Sequence, residues 1–318
     1  MGLGHHHHGH DHGPGPGHGA HHHAHGPGGS TRAFAIATLA NLAYTALEAG
    51  YGFLTNSLAL LSDALHNLGD VLGLALAWGA AVLARRAPTL RHTYGWRRAT
   101  LLSPLANALL LVAFSGALVW EALRRFSSPP EIPALPVMIV AAIGIAVNLG
   151  AAWLMHAGQE HDLNRRAAFL HLLADAGVSF AAVLAGAGMA TLGWLWLDPA
   201  IAVLVSIVVI ASAAGLLRES FDAAMDAVPR GIDPAAVQGW LAAQPGVRAV
   251  HHLHIWRIGA GEVAMTAHLV RPAGDDHDAF LDRVTRELEG RFGINHPTLQ
   301  VERGTGCEHD RHDHAPHH

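Results

Sequence analysis

The sequence predicts an α-helical membrane protein of six transmembrane helices that ends in a small α+β domain. Three observations carry that expectation. Of the 318 residues, 51% are hydrophobic and only 14% charged, whereas an average soluble domain carries about 25% charged residues. Six apolar stretches each approach the roughly 20 residues needed to cross a bilayer. From about Phe221 the texture returns to that of a soluble domain.

The chain divides in order. Residues 1–30 are Gly, Pro and His with almost nothing to bury, and are expected to be disordered. The transmembrane domain, 31–220, places its spans at 32–54, 58–83, 99–121, 133–157, 165–188 and 196–217. Asn56, Pro88, Pro129, Pro130, Gly158 and Gly193 fall in or near the breaks. The connection between the second and third spans holds Arg85, Arg86, Arg91, Arg97 and Arg98, and that between the fourth and fifth holds Arg165 and Arg166. The opposite side has only Arg124 and Arg125. The positive-inside rule then puts both termini in the cytoplasm.

In the third segment, 221–303, Asp233 and Pro234 form a helix start, with Asp as N-cap and Pro at the first helical position. Residues 247–258 and 262–271 read as strands around a turn at Gly259–Gly261. Phe280, Val284, Leu288 and Phe292 recur at helical spacing, and 298–302 alternates as a last strand. The predicted order is helix, strand, strand, helix, strand. The tail, 304–318, is rich in His and Asp and is again expected to be disordered.

Bulk features narrow the function. The formal charge is -5, all 20 basic residues are Arg, and no basic cluster of nucleic-acid type occurs. Cys307 is the only cysteine, so no intramolecular disulfide can form. The first residues lack the pattern of a signal peptide. No HExxH is present, nor a Ser or Cys nucleophile with a convincing nearby base, which argues against an enzyme.

The informative residues are charges where none should be. The second span, SLALLSDALHNLGDVLGLALAW, contains Asp63, His66 and Asp70; the fifth, AAFLHLLADAGVSFAAVLAG, contains His171 and Asp175. One Asp at a helix centre costs about 2.5–3.5 kcal/mol on insertion scales. His66/Asp70 and His171/Asp175 are both i, i+4 pairs, so each lies on one helix face. Together they offer two imidazoles and two carboxylates, a set that suits tetrahedral zinc; magnesium would prefer more oxygen and water. Two intrahelical hydrogen bonds would explain the same residues, as would a His/Asp proton relay. The His-rich residues 5–25 favour metal, as a segment that gathers ions.

SLALLSDALHNLGD, PTLRHTYGWRRATLLSPLAN, NRRAAFLHLLADAGVS, DPAIAVLVS and VHHLHIWRI together resemble the cation diffusion facilitator transporters, the zinc-exporting branch in particular. The resemblance runs from Ala33 to Glu302. It implies a homodimer with His66, Asp70, His171 and Asp175 as the intramembrane metal site, and His66 in place of a carboxylate implies zinc. Glu48 and Asp63 fall in the same region as cavity-lining or structural groups. The resemblance also implies a ferredoxin-like cytoplasmic domain for dimerisation and metal binding, with His251, His268, His296 and Glu302 as ligands. His254 could contribute, and His252 stands where many relatives carry Asp. Cys307 lies where relatives can carry tail cysteines.

The expected activity is export of Zn2+ in exchange for protons across a prokaryotic plasma (inner) membrane, with Zn2+ as substrate and regulatory ligand and no organic cofactor. Export of Cd2+, Co2+, Ni2+ or Fe2+ by the same mechanism is the alternative, and a non-transporting membrane metal sensor is another. Metal and protons compete for the same deprotonated ligands, and a His with a pKa near ~6.5 exchanges them at physiological pH.

Overall fold

The computed structural model describes residues 30–156, 163–273 and 276–304. The expected disordered segments 1–30 and 304–318, the His-rich stretch and Cys307 lie essentially outside the described residues, Ser30 and Gly304 excepted.

Six long helices come first: α1 (Ser30–Thr55), α2 (Leu58–Ala84), α3 (Ala99–Arg125), α4 (Ala134–His156), α5 (Leu163–Leu192) and α6 (Leu197–Ala224). Among the described residues five of them, α2 to α6, are long and apolar enough to cross a membrane. The polarity of this part is inverted relative to a soluble protein. Phe53, Leu74, Trp78, Trp120 and Trp153 are largely exposed, whereas Glu48, Asp63, Asn67, Asn148, Asp175 and Asp198 are buried. Only a lipid-facing exterior makes that pattern favourable, and the chain is an integral membrane protein. α1 is more polar, carrying Asn41, Tyr44, Thr45 and Glu48, and it packs on α2 and α4.

Several helices run past the apolar stretches that marked them. α3 continues to Arg125 and α6 to Ala224. Hydropathy falls where the apolar run stops, but the backbone goes on satisfying itself. In α3 the extra turn is held by Arg125 Nε donating to Glu121 Oε1 at 3.0 Å, an i, i+4 pair.

Helix pairing sets up two layers. α4 lies along α5 and α3 along α6, while α2 touches α1, α3 and α6 and meets α5 over a short stretch. One end of α2 is fixed by a buried carboxylate. Asp198, at the start of α6, accepts from the Ser57 hydroxyl at 2.5 Å and from the backbone N–H groups of Leu58 at 2.9 Å and Ala59 at 3.2 Å. Those N–H groups have no partner within their own helix. Beside them Asn56 takes a positive φ of 57°, and Arg125 donates to its carbonyl at 2.7 Å and its side-chain oxygen at 2.8 Å. The α1–α2 turn is thus tied to the ends of α3 and α6.

The C-terminal domain contains α7 (Pro234–Ala242), β1 (Ala249–Gly259), β2 (Glu262–Val270), α8 (His277–Phe292) and β3 (His296–Glu302). Helix, strand, strand, helix, strand is the order the sequence predicts. Asp233 caps α7 by accepting from the Ala235 N–H at 2.9 Å, and Gly293, at φ 70°, ends α8. The sheet order is β1-β2-β3, with β1 antiparallel and β3 parallel to β2. Phe280, Val284 and Leu288 of α8 are fully buried against Val237, Leu241, Met265 and Leu269. The domain meets the helices through Arg97 Nη1 and Glu262 Oε2 at 2.6 Å, and through the Ala260 N–H donating to Thr100 Oγ1 at 3.0 Å.

Candidate metal centre

α2 and α5 bring their two His/Asp pairs together, and the shortest contact runs between the helices. His171 Nε2 lies 3.0 Å from Asp70 Oδ2, and His66 Nε2 lies 3.7 Å from Asp175 Oδ1. Within α5, His171 Nε2 is 3.5 Å from Asp175 Oδ2. The two imidazoles meet edge to face with centroids 5.8 Å apart. One ligand atom each from His66, His171 and Asp175 falls within 4.8 Å of the others; Asp70 joins this group through His171.

Those spacings suit a tetrahedral ion. With metal–ligand bonds of about 2.0–2.2 Å, the edges of such a tetrahedron are about 3.3–3.6 Å. Distances of 3.0, 3.5 and 3.7 Å bracket that range, so small side-chain shifts would seat zinc. The burial is graded: the Asp175 side chain is 3% exposed, His66 22%, His171 44% and Asp70 46%. One wall is therefore sealed within the helices, while the Asp70–His171 side opens outward.

Asp63 lies deeper, one turn before His66. It is buried and accepts from Ser179 at 3.4 Å. Asp63 does not cap the start of α2, a role that Ser57 and Asp198 fill. Sequence reasoning passed over Asp198; a charged residue inside the apolar run DPAIAVLVS was the available signal.

A second cluster forms on the C-terminal sheet. His251 and His268 are register partners on β1 and β2, and Glu302, at the end of β3, reaches both. Its Oε1 lies 2.9 Å from His268 Nδ1 and its Oε2 3.4 Å from His251 Nε2. The register of β1 shifts between His251 and His254, and His252 takes a φ of 51°. This bulge turns His252 toward the same group, with its ring 4.9 Å from that of His268. His251, His252 and His268 offer ligand atoms within 4.8 Å of one another. His296 stands apart within one chain, opposite Ala264 rather than His268, and His254 pairs with Thr266 on an exposed position. His252 stands out in the sequence only as a departure from the Asp of many relatives; strict alternation along β1 could not reveal the bulge that turns it into the cluster.

Comparison with known proteins agrees along nearly the whole described chain. Residues 34–223 match the cation efflux transmembrane domain, and residues 229–304 the cytoplasmic domain of cation efflux proteins. The zinc transporter ZitB of Escherichia coli is 40% identical over 253 residues, 79% of this chain and 80% of that protein. ZitB of Yersinia pestis is 39% identical over 85% of this chain and 86% of its own length. The cadmium, cobalt and zinc/H(+)-K(+) antiporter of Bacillus subtilis is 34% identical over 91% of this chain and 93% of that protein. Among solved structures, the metal-bound C-terminal domain of the CzcD transporter from Cuprividus metallidurans is 35% identical, spans 22% of this chain and 99% of that one, and has a TM-score of 0.21. The chain belongs to the cation efflux family.

Proposed function

We propose that the protein exports Zn2+ from the cytoplasm in exchange for protons, with His66, Asp70, His171 and Asp175 as the transport ligands. The observation that carries this reading is the meeting of three ligand atoms from α2 and α5 within 4.8 Å in an otherwise apolar helical layer. The names of the ZitB relatives point to the same metal. Facing the cytoplasm, the four side chains bind zinc and release protons; after the helices rock, protons from outside displace the metal. No catalytic step on a covalent bond is part of this scheme.

The finer architecture follows from the same reading. α1 joins the five apolar helices as a sixth span, since its 26 residues reach about 39 Å as a helix. The C-terminal domain is ferredoxin-like, lies in the cytoplasm with both termini, and pairs with a second copy to make a homodimer in a bacterial inner membrane. His251, His268 and Glu302 bind zinc there as a regulatory ligand, with His252 added and His296 acting at a separate point. A broader range of metals is the second reading, favoured by relatives named for cadmium and cobalt as well as zinc, and for potassium beside the proton.

The test is zinc uptake into inside-out vesicles under an imposed proton gradient. Gradient-driven uptake in wild type, abolished by Asp70→Ala and by Asp175→Ala, is expected. Uptake that survives both substitutions would mean that metal crosses elsewhere.

A further inference from the structure

The connection between α2 and α3 carries positive charge that the fold leaves partly unmatched. Residues 85–98 include Arg85, Arg86, Arg91, Arg97 and Arg98 and no acidic residue. Two of these are paired: Arg97 with Glu262 at 2.6 Å and Arg98 with Asp226 at 2.8 Å. Arg91 is exposed, and its guanidinium forms no ion pair or hydrogen bond with any described residue. The Arg97–Glu262 pair and the Ala260 N–H on Thr100 Oγ1 put the connection on the same side of the bundle as the C-terminal domain.

Arg91 stands at the rim of a cavity of about 740 Å³ between this connection and the adjoining ends of α2 and α3. The walls are mainly apolar. Leu76, Ala80 and Leu83, at i, i+4 and i+7, line it from one face of α2, and Leu102 lines it from α3. The α2 face runs for about 10 Å along the helix axis, away from the connection and into the apolar part of the bundle. Gly79 deepens the groove, since a Cβ added there would meet nothing within 4 Å. The polar lining comes mostly from the connection, as Arg91, His92, Thr93 and Tyr94.

The rim is held in shape. The Thr89 N–H donates to the His92 carbonyl at 3.0 Å, the His92 N–H donates to Thr89 Oγ1 at 3.0 Å, and the Gly95 N–H donates to the His92 carbonyl at 2.8 Å. The His92 ring stacks on Trp96 with centroids 4.4 Å apart. A charge presented on a braced turn needs less ordering when a ligand arrives.

Each half of the cavity excludes a class of occupant. A soluble anion would meet Arg91 but leave the apolar walls uncovered, and a bare hydrocarbon would leave the guanidinium without a partner. A zwitterionic lipid would bring its own cation close to Arg91. An anionic phospholipid matches both halves, and basic side chains flanking a membrane-spanning helix attract anionic headgroups. Tyr94 and Trp96 beside Arg91 are the aromatic types that settle at headgroup level.

We propose that this groove binds one anionic phospholipid from the leaflet on the C-terminal domain's side. Arg91 pairs with the headgroup phosphate, and an acyl chain lies along Leu76, Ala80 and Leu83. The site is separate from the metal ligands and does not depend on the zinc/proton reading.

Native mass spectrometry of the full-length, zinc-free protein in detergent, titrated with phosphatidylglycerol or phosphatidylcholine, tests this. One phosphatidylglycerol per chain should bind ahead of all others and more tightly than phosphatidylcholine. Arg91→Gln should weaken that first event about fivefold. Gly79→Leu, which fills the groove and keeps the charge, should weaken it too. Arg124→Gln, at the far end of α3, should leave it unchanged. Equal affinity for the two lipids overturns the proposal, as does an unchanged first event in either Arg91→Gln or Gly79→Leu. So does an equal loss in Arg124→Gln, which would mean general attraction to basic residues, or displacement of the first lipid by glycerol phosphate, which would mean a site for soluble anions.

Discussion

Asp70 on α2 and His171 on α5 approach to 3.0 Å across the helix boundary, and His66 faces Asp175 across the same boundary at 3.7 Å. Each helix thus holds half of the proposed ligand set, and the shortest contact joins the two halves. A relative movement of α2 and α5 would separate these contacts together. Metal affinity in such a site depends on how two helices sit against each other, which is what a transporter must change between its two faces.

Removing either half should therefore abolish function. Asp175→Asn keeps the shape of the side chain but removes the charge from the most buried ligand. Loss of a ligand should cost more than the roughly 10–100-fold in affinity that loss of a supporting group costs. Equilibrium zinc binding to the purified protein, followed by vesicle uptake, measures both effects; near-wild-type affinity in Asp175→Asn and Asp70→Ala together would place the metal elsewhere.

His66 should set the preference for zinc. Replacing it with Asp would leave one imidazole and three carboxylates, and oxygen-rich sets suit harder ions such as manganese. Competition of manganese against zinc uptake in His66→Asp should rise well above that in wild type. An unchanged competition profile would show that selectivity is fixed outside this position.

The buried Asp198 carboxylate should be a main stabiliser of the helical domain. Asp198→Ala leaves the Leu58 and Ala59 N–H groups and the Ser57 hydroxyl without their acceptor. Unmet buried donors cost about 1–3 kcal/mol each, so a Tm drop of several degrees in detergent is expected. Ser57→Ala, which removes one of the three donors, should cost less. Equal effects of the two substitutions would argue against Asp198 as the anchor.

Much of this architecture was legible because the membrane makes sequence rules strict. Apolar run length located the helices, and the cost of burying Asp marked Asp70 and Asp175 without any structure. The misses have physical reasons. Helix ends such as those of α3 and α6 outlast the apolar run, since Glu121 and Arg125 support one another where hydropathy has already fallen. His252 joined the C-terminal cluster through a bulge, which breaks the period-two pattern that sequence reading relies on. The charge of Asp198 in an apolar run is a local signal, but its acceptor role toward Ser57, Leu58 and Ala59 depends on which helices are neighbours, and no local pattern encodes that.

Acid should loosen the C-terminal domain through Asp276. Arg271 donates to Asp276 Oδ1 at 2.6 Å, and this bond holds the carboxyl below its ordinary range. A lowered folded-state pKa gives stability that is present above the unfolded value, near ~3.9, and lost as pH falls through the folded value. Asp276→Asn should remove that portion of the acid dependence below about pH 4 while leaving the neutral-pH fold intact. Far-UV and near-UV circular dichroism across an acid titration of the full chain would detect it; superimposable curves would mean that the Arg271–Asp276 pair contributes nothing.

The C-terminal cluster separates His252 from His296. His252 stands within reach of His251 and His268 because the β1 bulge turns it there. His296 pairs with Ala264, four residues along β2 from His268, a separation of about 13 Å at strand rise. If the cluster binds zinc within one chain, His252→Ala and His268→Ala should each weaken that binding, whereas His296→Ala should leave it unchanged. Zinc titration of the full-length protein carrying Asp70→Ala, which weakens the intramembrane site, isolates the cluster. Equal losses in His252→Ala and His296→Ala would instead mean that His296 reaches the metal from a second copy of the chain. The cluster would then be built across the dimer, and its affinity would fall on dilution to monomer.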